Sequence, residues 1–546
     1  MHKRALIGLA AIALVSCTRE HSRADAGEVS RSWNPAAVRD VDGVPVVEIR
    51  SLLQGGLAAR PPSIDADSWS HVKRLYKRFG TSPLWFDDAG LITDRADALV
   101  DALVNATTDA IAIDRYPLFD LALNLDTLKR TKHPTAAQLA RSDLLLTTSY
   151  AALSEDYLTG QIDPRSVAQS WHIDPEEEQV DSALVRSLRD KNLTQAIARM
   201  RPTDYDYDML RRAMADYRRI ASAGGWQPIP KGKSPKRGQH DPRIPQLRAR
   251  LRLEGIDSDS GSTYDSSLAA GIARFQAHHG INVDSALGPE TLDALNVPAT
   301  FRLAQIAANL ERFRWLPHAL PQRYILVNVP AFRLEGYDNG TKTIEMKVIV
   351  GAEYEGRATP VFSDKMEFVV FRPYWDVPDK IAQNEILPKG VPSDFEVTSQ
   401  NGKPHLRQRP GPKNALGLAK FMFPNDFNIY LHDTPQDQLF QKDVRAFSHG
   451  CIRVEKPAEL AQWVLGWDAG RVEEAMNSGP NNHEVRLPSK IPVFITYFTA
   501  YVRDGQLWFG NDLYGRDDQL VAAVVPGAIP SASAARAVAA LRKLTD

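Results

Sequence analysis

The sequence predicts a multidomain α+β protein: a helical domain, a small three-helix unit, and a mostly antiparallel β domain that carries a long irregular insert. Three observations carry this expectation. The chain has 546 residues, whereas a single hydrophobic core stops growing at about 250 to 300. From about residue 65 to 222 apolar side chains recur at helical spacing. From Tyr324 onward the period changes to two, the mark of strands.

In chain order, the first element is a leader. Residues 1–17 read MHKRALIGLAAIALVSC: a basic start at His2, Lys3 and Arg4, an apolar run from Ala5 to Val15, then Ser16 and Cys17. So short a run cannot cross the roughly 30 Å of a bilayer as a helix, and its order is that of a secretory signal. Export is therefore expected. The ending LVSC resembles the bacterial lipoprotein box, which implies cleavage before Cys17 and lipid on its thiol, with Thr18 implying sorting to the outer membrane. Residues 18–45 are polar and aperiodic, as a tether would be.

Residues 46–226 are expected to form a helical scaffold. Val72, Leu75, Tyr76 and Phe79 share one face, and Leu146, Tyr150, Leu153 and Tyr157 another. The Pro-, Gly- and Lys-rich stretch 227–243 ends it. In 240–298 short amphipathic helices flank a turn with Gly280, Asp284 and Gly288, and Thr291 is placed to open the last helix. His278 and His279 beside that turn lack a carboxylate or cysteine at ligand spacing and are expected to be exposed.

The β domain spans 320–515. YILVNV and TIEMKVIVG alternate, with Asp338–Gly340 as a turn between them, and Asp504-Gly505 marks a later hairpin. The insert, about 376–420, is rich in Pro, Gly, Lys and Asn without strand alternation, which makes it a candidate lid. Residues 516–546 form a C-terminal tail, rich in Ala and Pro after 525. Beyond the leader, no apolar run is long enough to cross a membrane. A net charge of −1 leaves no basic surplus to attract nucleic acid.

Cys17 and Cys451 are the only cysteines. With Cys17 lipidated, the exported chain keeps one free thiol, so a disulfide framework is excluded. Either that thiol is an inert buried side chain or it is reactive, and the neighbours bear on the choice. It lies in AFSHGCIRV, followed by EKPAELAQWVLGW, a helix with Pro457 in its first turn. Cys451 is thus expected in a turn between strand and helix, where the amides of Gly450 and Cys451 are free to hold an oxyanion. A thiol with a pKa of about 8.5 needs an imidazole to work as a nucleophile near neutrality. His449, two residues away, would project to the same side in an extended segment. His432 in NIYLHD is the better base, sharing a face with Tyr430 opposite Ile429 and Leu431, as on a cleft wall. A zinc site of Cys451, His449 and His432 is the rival chemistry, although a Cys and a His two apart is unusual ligand spacing.

YLHDTP, with fifteen residues between His432 and SHGCIRV, resembles the L,D-transpeptidase signature. The longer stretch Leu416–Val454 resembles the large periplasmic YcbB-like subfamily, which joins a YkuD-type catalytic domain to a helical scaffold and a peptidoglycan-binding domain. The spacing Phe275-Gln276, Gly280, Asp284, Gly288, Thr291, Leu295 resembles that last domain. The resemblance covers about 65–515 and implies the L,D-transpeptidase fold for the β domain.

It also implies roles. Cys451 is the nucleophile that releases D-alanine from a tetrapeptide stem and leaves a thioester. His432 moves the protons, and a diaminopimelate amine closes a 3→3 cross-link. Ser448 is expected to bond His432 as a third triad member, His449 to steer the loop or contact the cysteine, and the Gly450 amide to hold the oxyanion. Tyr430, Arg453, Trp375 and Asn425 are the candidate substrate contacts. No cofactor or metal is implied, since an amide is exchanged for an amide. The implied partners are stem peptides, glycan strands along 240–298, and the outer membrane through lipid, with a periplasmic location and carbapenems as acylating inhibitors. An L,D-carboxypeptidase, an enzyme attaching lipoproteins to murein, and a non-catalytic wall anchor remain as alternatives.

Overall fold

The computed structural model describes residues 33–173, 180–352, 358–400 and 403–545. The leader with Cys17, and the first part of the expected tether, lie outside the described residues. Residues 33–45 are not a tether. Trp33 donates to the Leu84 carbonyl at 2.9 Å and packs edge-on against Phe79, and β1 (Asp40–Val41) pairs with β2 (Val44–Pro45).

The scaffold follows as α1 (Val46–Gly56), α2 (Ala66–Arg78), the ladder of β3 (Phe86–Asp87) and β4 (Gly90–Leu91), α3 (Thr93–Asn105), α4 (Leu118–Arg130) and α5 (Ala136–Thr159). Four more helices complete it: α6 (Pro164–Val167), α7 (Val180–Arg189), α8 (Leu193–Ala198) and α9 (Tyr205–Ser222). The 24-residue α5 runs through its centre, opened by a capping box at Thr135 and Gln138. The expected faces are buried: Leu146, Tyr150, Leu153 and Tyr157 on α5 against Val72, Leu75 and Tyr76 on α2, with Phe79 at the edge.

The small unit consists of α10 (Ile244–Arg252), α11 (Ser266–His278) and α12 (Pro289–Leu295), packed through Leu247, Leu251, Phe275, Leu292 and Leu295. Its motif residues are internal braces. The Gln276 amide donates to Asp284 at 2.7 Å and to Thr291 at 2.9 Å, and accepts from the Ser285 amide. Gly288, not Thr291, caps α12. His278 and His279 are not exposed. His279 is buried between the rings of Phe275 and Phe509, and His278 lies against Trp508, because the β domain docks there.

Between the small unit and the β domain runs α13 (Ala299–Arg314), which is buried along most of its length. Its polar side chains are paired inside the protein: Arg314 with Glu311, Arg312 with Asp517 at 2.7 Å, and Asn309 with Thr499. A helix buried all round, with polar side chains on its inward faces as well, shows no one-sided apolar stripe.

The β domain opens with β5 (Arg323–Asn328), β6 (Arg333–Asp338), β7 (Thr341–Gly351) and β8 (Phe362–Phe371). After the insert come β12 (Ala419–Met422), β13 (Leu431–His432), β14 (Ala446–Ser448) and β15 (Ile452–Val454), then α15 (Pro457–Leu465), α16 (Ala469–Asn477) and β16 (His483–Thr496). The strand order is β14-β7-β15-β13-β12-β8-β16-β5-β6, and β6 also pairs with β7, so the sheet closes on itself. Pairing is mostly antiparallel, with parallel exceptions at β13–β15, β7–β14 and β5–β16. Asn339-Gly340 and Asp504-Gly505 turn with positive φ at both residues, as tight hairpins require. The second of these joins β17 (Ala500–Arg503) to β18 (Gln506–Phe509).

Two expectations change here. The insert is not irregular: β9 (Trp375–Asp376), α14 (Asp379–Ile381), β10 (Phe395–Gln400) and β11 (Lys403–Gln408) fold on a small core of Val377, Ala382 and Leu406, with β9, β10 and β11 as a three-stranded sheet. The tail is helical, with α17 (Asp518–Ala528) packed on α13 and α18 (Ala532–Thr545) on α3 and α4. Ala534, Ala537 and Leu541 of α18 join the scaffold core. Among the described residues no single helix is long and apolar enough to cross a membrane.

Candidate active site

Period-two alternation builds the site. In β12, Ala419 and Phe421 are buried in the barrel, leaving Lys420 to the other face. In the next strand Leu431 is buried, while Tyr430 and His432 line a cleft of about 1130 Å³ between barrel and insert. Ile452 pairs with Leu431 in parallel register, which sets Cys451 beside Tyr430 and diagonally across from His432. Diagonal neighbours of this kind are within side-chain reach.

Cys451 lies in the turn between β14 and β15. The helix α15 begins only after β15, not directly after the thiol as the sequence led us to expect. Gly450 makes this turn with φ at 115°, where a side chain would strain the backbone. The Gly450 carbonyl accepts from Thr359 at 2.8 Å.

The sulfur is surrounded by donors and charge. Its S–H points at the Asn428 carbonyl, 3.6 Å away, and Tyr430 approaches it with both backbone N–H and hydroxyl. Burial raises the thiol's pKa, while Tyr430 and the cations Lys420 and Arg453 act to lower it. His432 is buried, and its Nδ1 faces the Asp433 carbonyl at 2.5 Å. A carbonyl can only accept, so Nδ1 carries the proton and Nε2 is left as the base. Burial, with Arg453 and Lys420 adding to it, pushes the imidazole down to about 3, so it is neutral at physiological pH.

The other expected residues divide. Ser448 does not bond His432. Its hydroxyl donates to the Cys451 carbonyl and accepts from the Gly450 amide at 3.2 Å, so it braces the turn. The same bond occupies the Gly450 amide, which removes it as a ready oxyanion donor. His449 turns away from the sulfur and meets Glu385 of the insert at 2.7 Å, because Gly450 breaks the extended run on which the same-side expectation rested. Asn425 holds its own loop: its amide donates to the Phe423 and Ile429 carbonyls and accepts from the Phe427 and Ile429 amides. It is not free for substrate. Arg453 and Trp375 do line the cleft, Arg453 donating to Gln436 at 2.6 Å and Trp375 standing edge-on to Phe395.

Zinc would need Cys451, His449 and His432 at one point. They do not gather, and among the described residues no three His, Cys, Asp or Glu side chains do. Lys420 and Glu385 escaped sequence reasoning. Lys420 had a visible signal, as the one cation alternating with Ala419 and Phe421, whereas nothing local marked Glu385.

A closed barrel, with a cleft lined by both the Cys451 thiol and the neutral His432 imidazole, is mounted on helical domains. Residues 322–493 match the L,D-transpeptidase catalytic domain, 70–214 a scaffold domain, and 240–295 a peptidoglycan-binding domain. The chain therefore carries an L,D-transpeptidase catalytic domain together with a peptidoglycan-binding domain. It is 32% identical over 242 residues to a Haemophilus influenzae protein named "Putative L,D-transpeptidase", an alignment covering 40% of this chain and 48% of that relative. Among solved structures it is similar to the L,D-transpeptidase (residues 123–326) of Xylanimonas cellulosilytica, at 16% identity over 49% of this chain and 99% of that one, with a TM-score of 0.16. A fused Zn-dependent amidase/peptidase/peptidoglycan-binding domain-containing protein of Clostridium acetobutylicum is similar at 14% identity over 49% of this chain and 100% of that one, with a TM-score of 0.15.

Proposed function

We propose that this protein cross-links peptidoglycan by L,D-transpeptidation through a thioester on Cys451. The observation that carries the reading is that Cys451, in the turn leading into β15, and His432 of the adjacent β13 line one cleft, with the imidazole neutral and its proton on Nδ1. His432 Nε2 takes the thiol proton as sulfur attacks the carbonyl of the third stem residue, forming the C–S bond. The Tyr430 hydroxyl, at the sulfur, and the Cys451 amide would donate to the resulting oxyanion. Collapse breaks the C–N bond, and the imidazolium returns its proton to the departing D-alanine amine. A diaminopimelate amine of a second stem then attacks the thioester, giving its proton to His432 and restoring the thiol. The 3→3 link conserves the energy of the broken amide, so no ATP is consumed.

The small helical unit would hold glycan strands near the cleft. Export and lipid attachment at Cys17 would place the enzyme in the periplasm at the outer membrane. The experiment is incubation of the purified protein with disaccharide-tetrapeptides, followed by mass spectrometry. Cross-linked dimer and free D-alanine are expected from wild type and neither from Cys451→Ala. D-alanine without dimer would make the protein an L,D-carboxypeptidase, and activity retained in Cys451→Ala would end the thioester reading. A carbapenem should add its mass to Cys451, its strained ring mimicking the donor.

A further inference from the structure

Lys420 stands beside the reacting groups and has no part in the mechanism above. In β12 it lies directly across from His432 of β13, and its ammonium sits 3.9 Å from the centre of the Tyr430 ring. That ring's hydroxyl is directed toward the sulfur of Cys451, which acts on it electrostatically. Among the described residues no carboxylate lies within ion-pair distance of Lys420. The nearest charge of opposite sign acting on it from the insert, Asp376, is already paired with Arg407 at 2.6 Å and with His405 at 3.2 Å. Burial makes the ammonium easier to deprotonate, while the Cys451 side chain favours its charge. The cleft is also lined by Arg453 of β15, His432, and Lys380, Lys389 and Lys413, and by the carboxylate of Glu385, which is paired with His449 at 2.7 Å.

An ammonium drawn into a cleft without a counter-ion is costly to hold. The cost is recovered when negative charge appears nearby, and here the place where it appears is the sulfur and then the oxyanion. We propose that Lys420 is the electrostatic positioning residue of this site, stabilising the Cys451 thiolate directly by its charge and indirectly through the Tyr430 phenol that it overlies. This rests on Cys451 being the nucleophile but not on which acceptor follows. When the thiol proton leaves for His432, the new negative charge lies between Lys420 and Arg453, and the Tyr430 hydroxyl bonds it more strongly.

The test is the pH dependence of Cys451 alkylation by iodoacetamide in the full chain, located by peptide mass mapping, in wild type, Lys420→Met and Lys420→Arg. Lys420→Met should move the midpoint up by about one unit and slow alkylation at pH 7.5 about tenfold. Lys420→Arg should restore most of both. Met replaces an unpaired charge with an apolar chain of similar length, which favours folding, and Lys420→Gln provides a second neutral variant. A folded neutral variant whose profile overlays that of wild type would overturn the proposal. So would an unmoved profile with a raised KM for tetrapeptide, which would make Lys420 an anchor for a substrate carboxylate. Alkylation needs no transpeptidation, so a shifted profile in a protein that forms no cross-links would leave this inference standing while the proposed function fails.

Discussion

Acidification separates a buried neutral base from an ordinary catalytic histidine. His432 is held near 3 by burial, Arg453 and Lys420, whereas a free imidazole titrates at about 6.5. At pH 5 about 99% of a group with a pKa of 3 is still neutral, against about 3% of an ordinary imidazole. Acylation by a carbapenem, followed by intact mass or by loss of β-lactam absorbance, should therefore stay level from about pH 4.5 to 8. The same shift acts on stability. Below pH 6.5 the unfolded chain takes up a proton that the folded site refuses until about 3, so His432 costs stability as pH falls through that window. The cost is about 2 kcal/mol at pH 5 and approaches about 5 below pH 3. His432→Gln should remove this part of the acid destabilisation, seen in urea melts at pH 7.5 and 5, while slowing acylation by about 10² to 10⁴. An acid limb in wild-type acylation with its midpoint near 6.5, some thirtyfold down at pH 5, would refute the argument, because it would mean that the imidazole is solvated.

Three further outcomes follow from contacts. The pair of His449 with Glu385 is only partly buried and worth about 0.2 to 1 kcal/mol, so His449→Ala and Glu385→Gln should each change kcat/KM less than about fivefold. Both should quicken amide exchange in the insert, and a hundredfold loss in His449→Ala alone would give that ring a chemical role. Asn425→Ala deletes four hydrogen bonds in its loop and should cost about 1 to 3 kcal/mol; an unchanged urea midpoint would contradict the bracing role. Leu541→Ala, in the buried face of α18, should cost about 2 to 5 kcal/mol in scaffold stability, and a neutral result would mean that the C-terminal helix is not docked.

What could be seen in the sequence was what neighbouring residues decide. The apolar faces of α2 and α5, the hairpin at Asp504-Gly505 and the shared face of Tyr430 and His432 are set by periods of 3.6 and 2. The insert's Pro, Gly, Lys and Asn hide its strands, although Phe395 and Val397 alternate in the first of them. The helix α13 was passed over because its polar residues are buried against partners far along the chain. The two-residue spacing of His449 and Cys451 suggests a role for the ring near the sulfur or in steering the loop, yet its partner Glu385 lies 64 residues away. Analogy with triads pairs Ser448 with His432, yet a hydroxyl next to a sharp glycine turn is first claimed by the unpaired backbone groups of that turn.

The residues that position the Cys451 turn come from segments a motif search would not join. Gly450 owes its carbonyl position to Thr359, whose own carbonyl accepts from Arg516 at 2.9 Å, and Tyr514 donates to the Gly351 carbonyl at 2.7 Å. Asp512 fixes that stretch by accepting from the Arg516 and Asp517 amides, and Asp517 in turn pairs with Arg312 of α13. Residues 512–517 thus link the Cys451 turn to α13, the helix that leads from the small helical unit into the β domain. The expected domain boundary at 515/516 cuts through the middle of this brace. A barrel excised at that boundary would keep Cys451, His432 and Tyr430 but lose Asp517, leaving Arg312, if retained, as a buried unpaired cation. The helical domains are consequently part of what shapes the turn, and the chemistry of Cys451 belongs to the assembled chain.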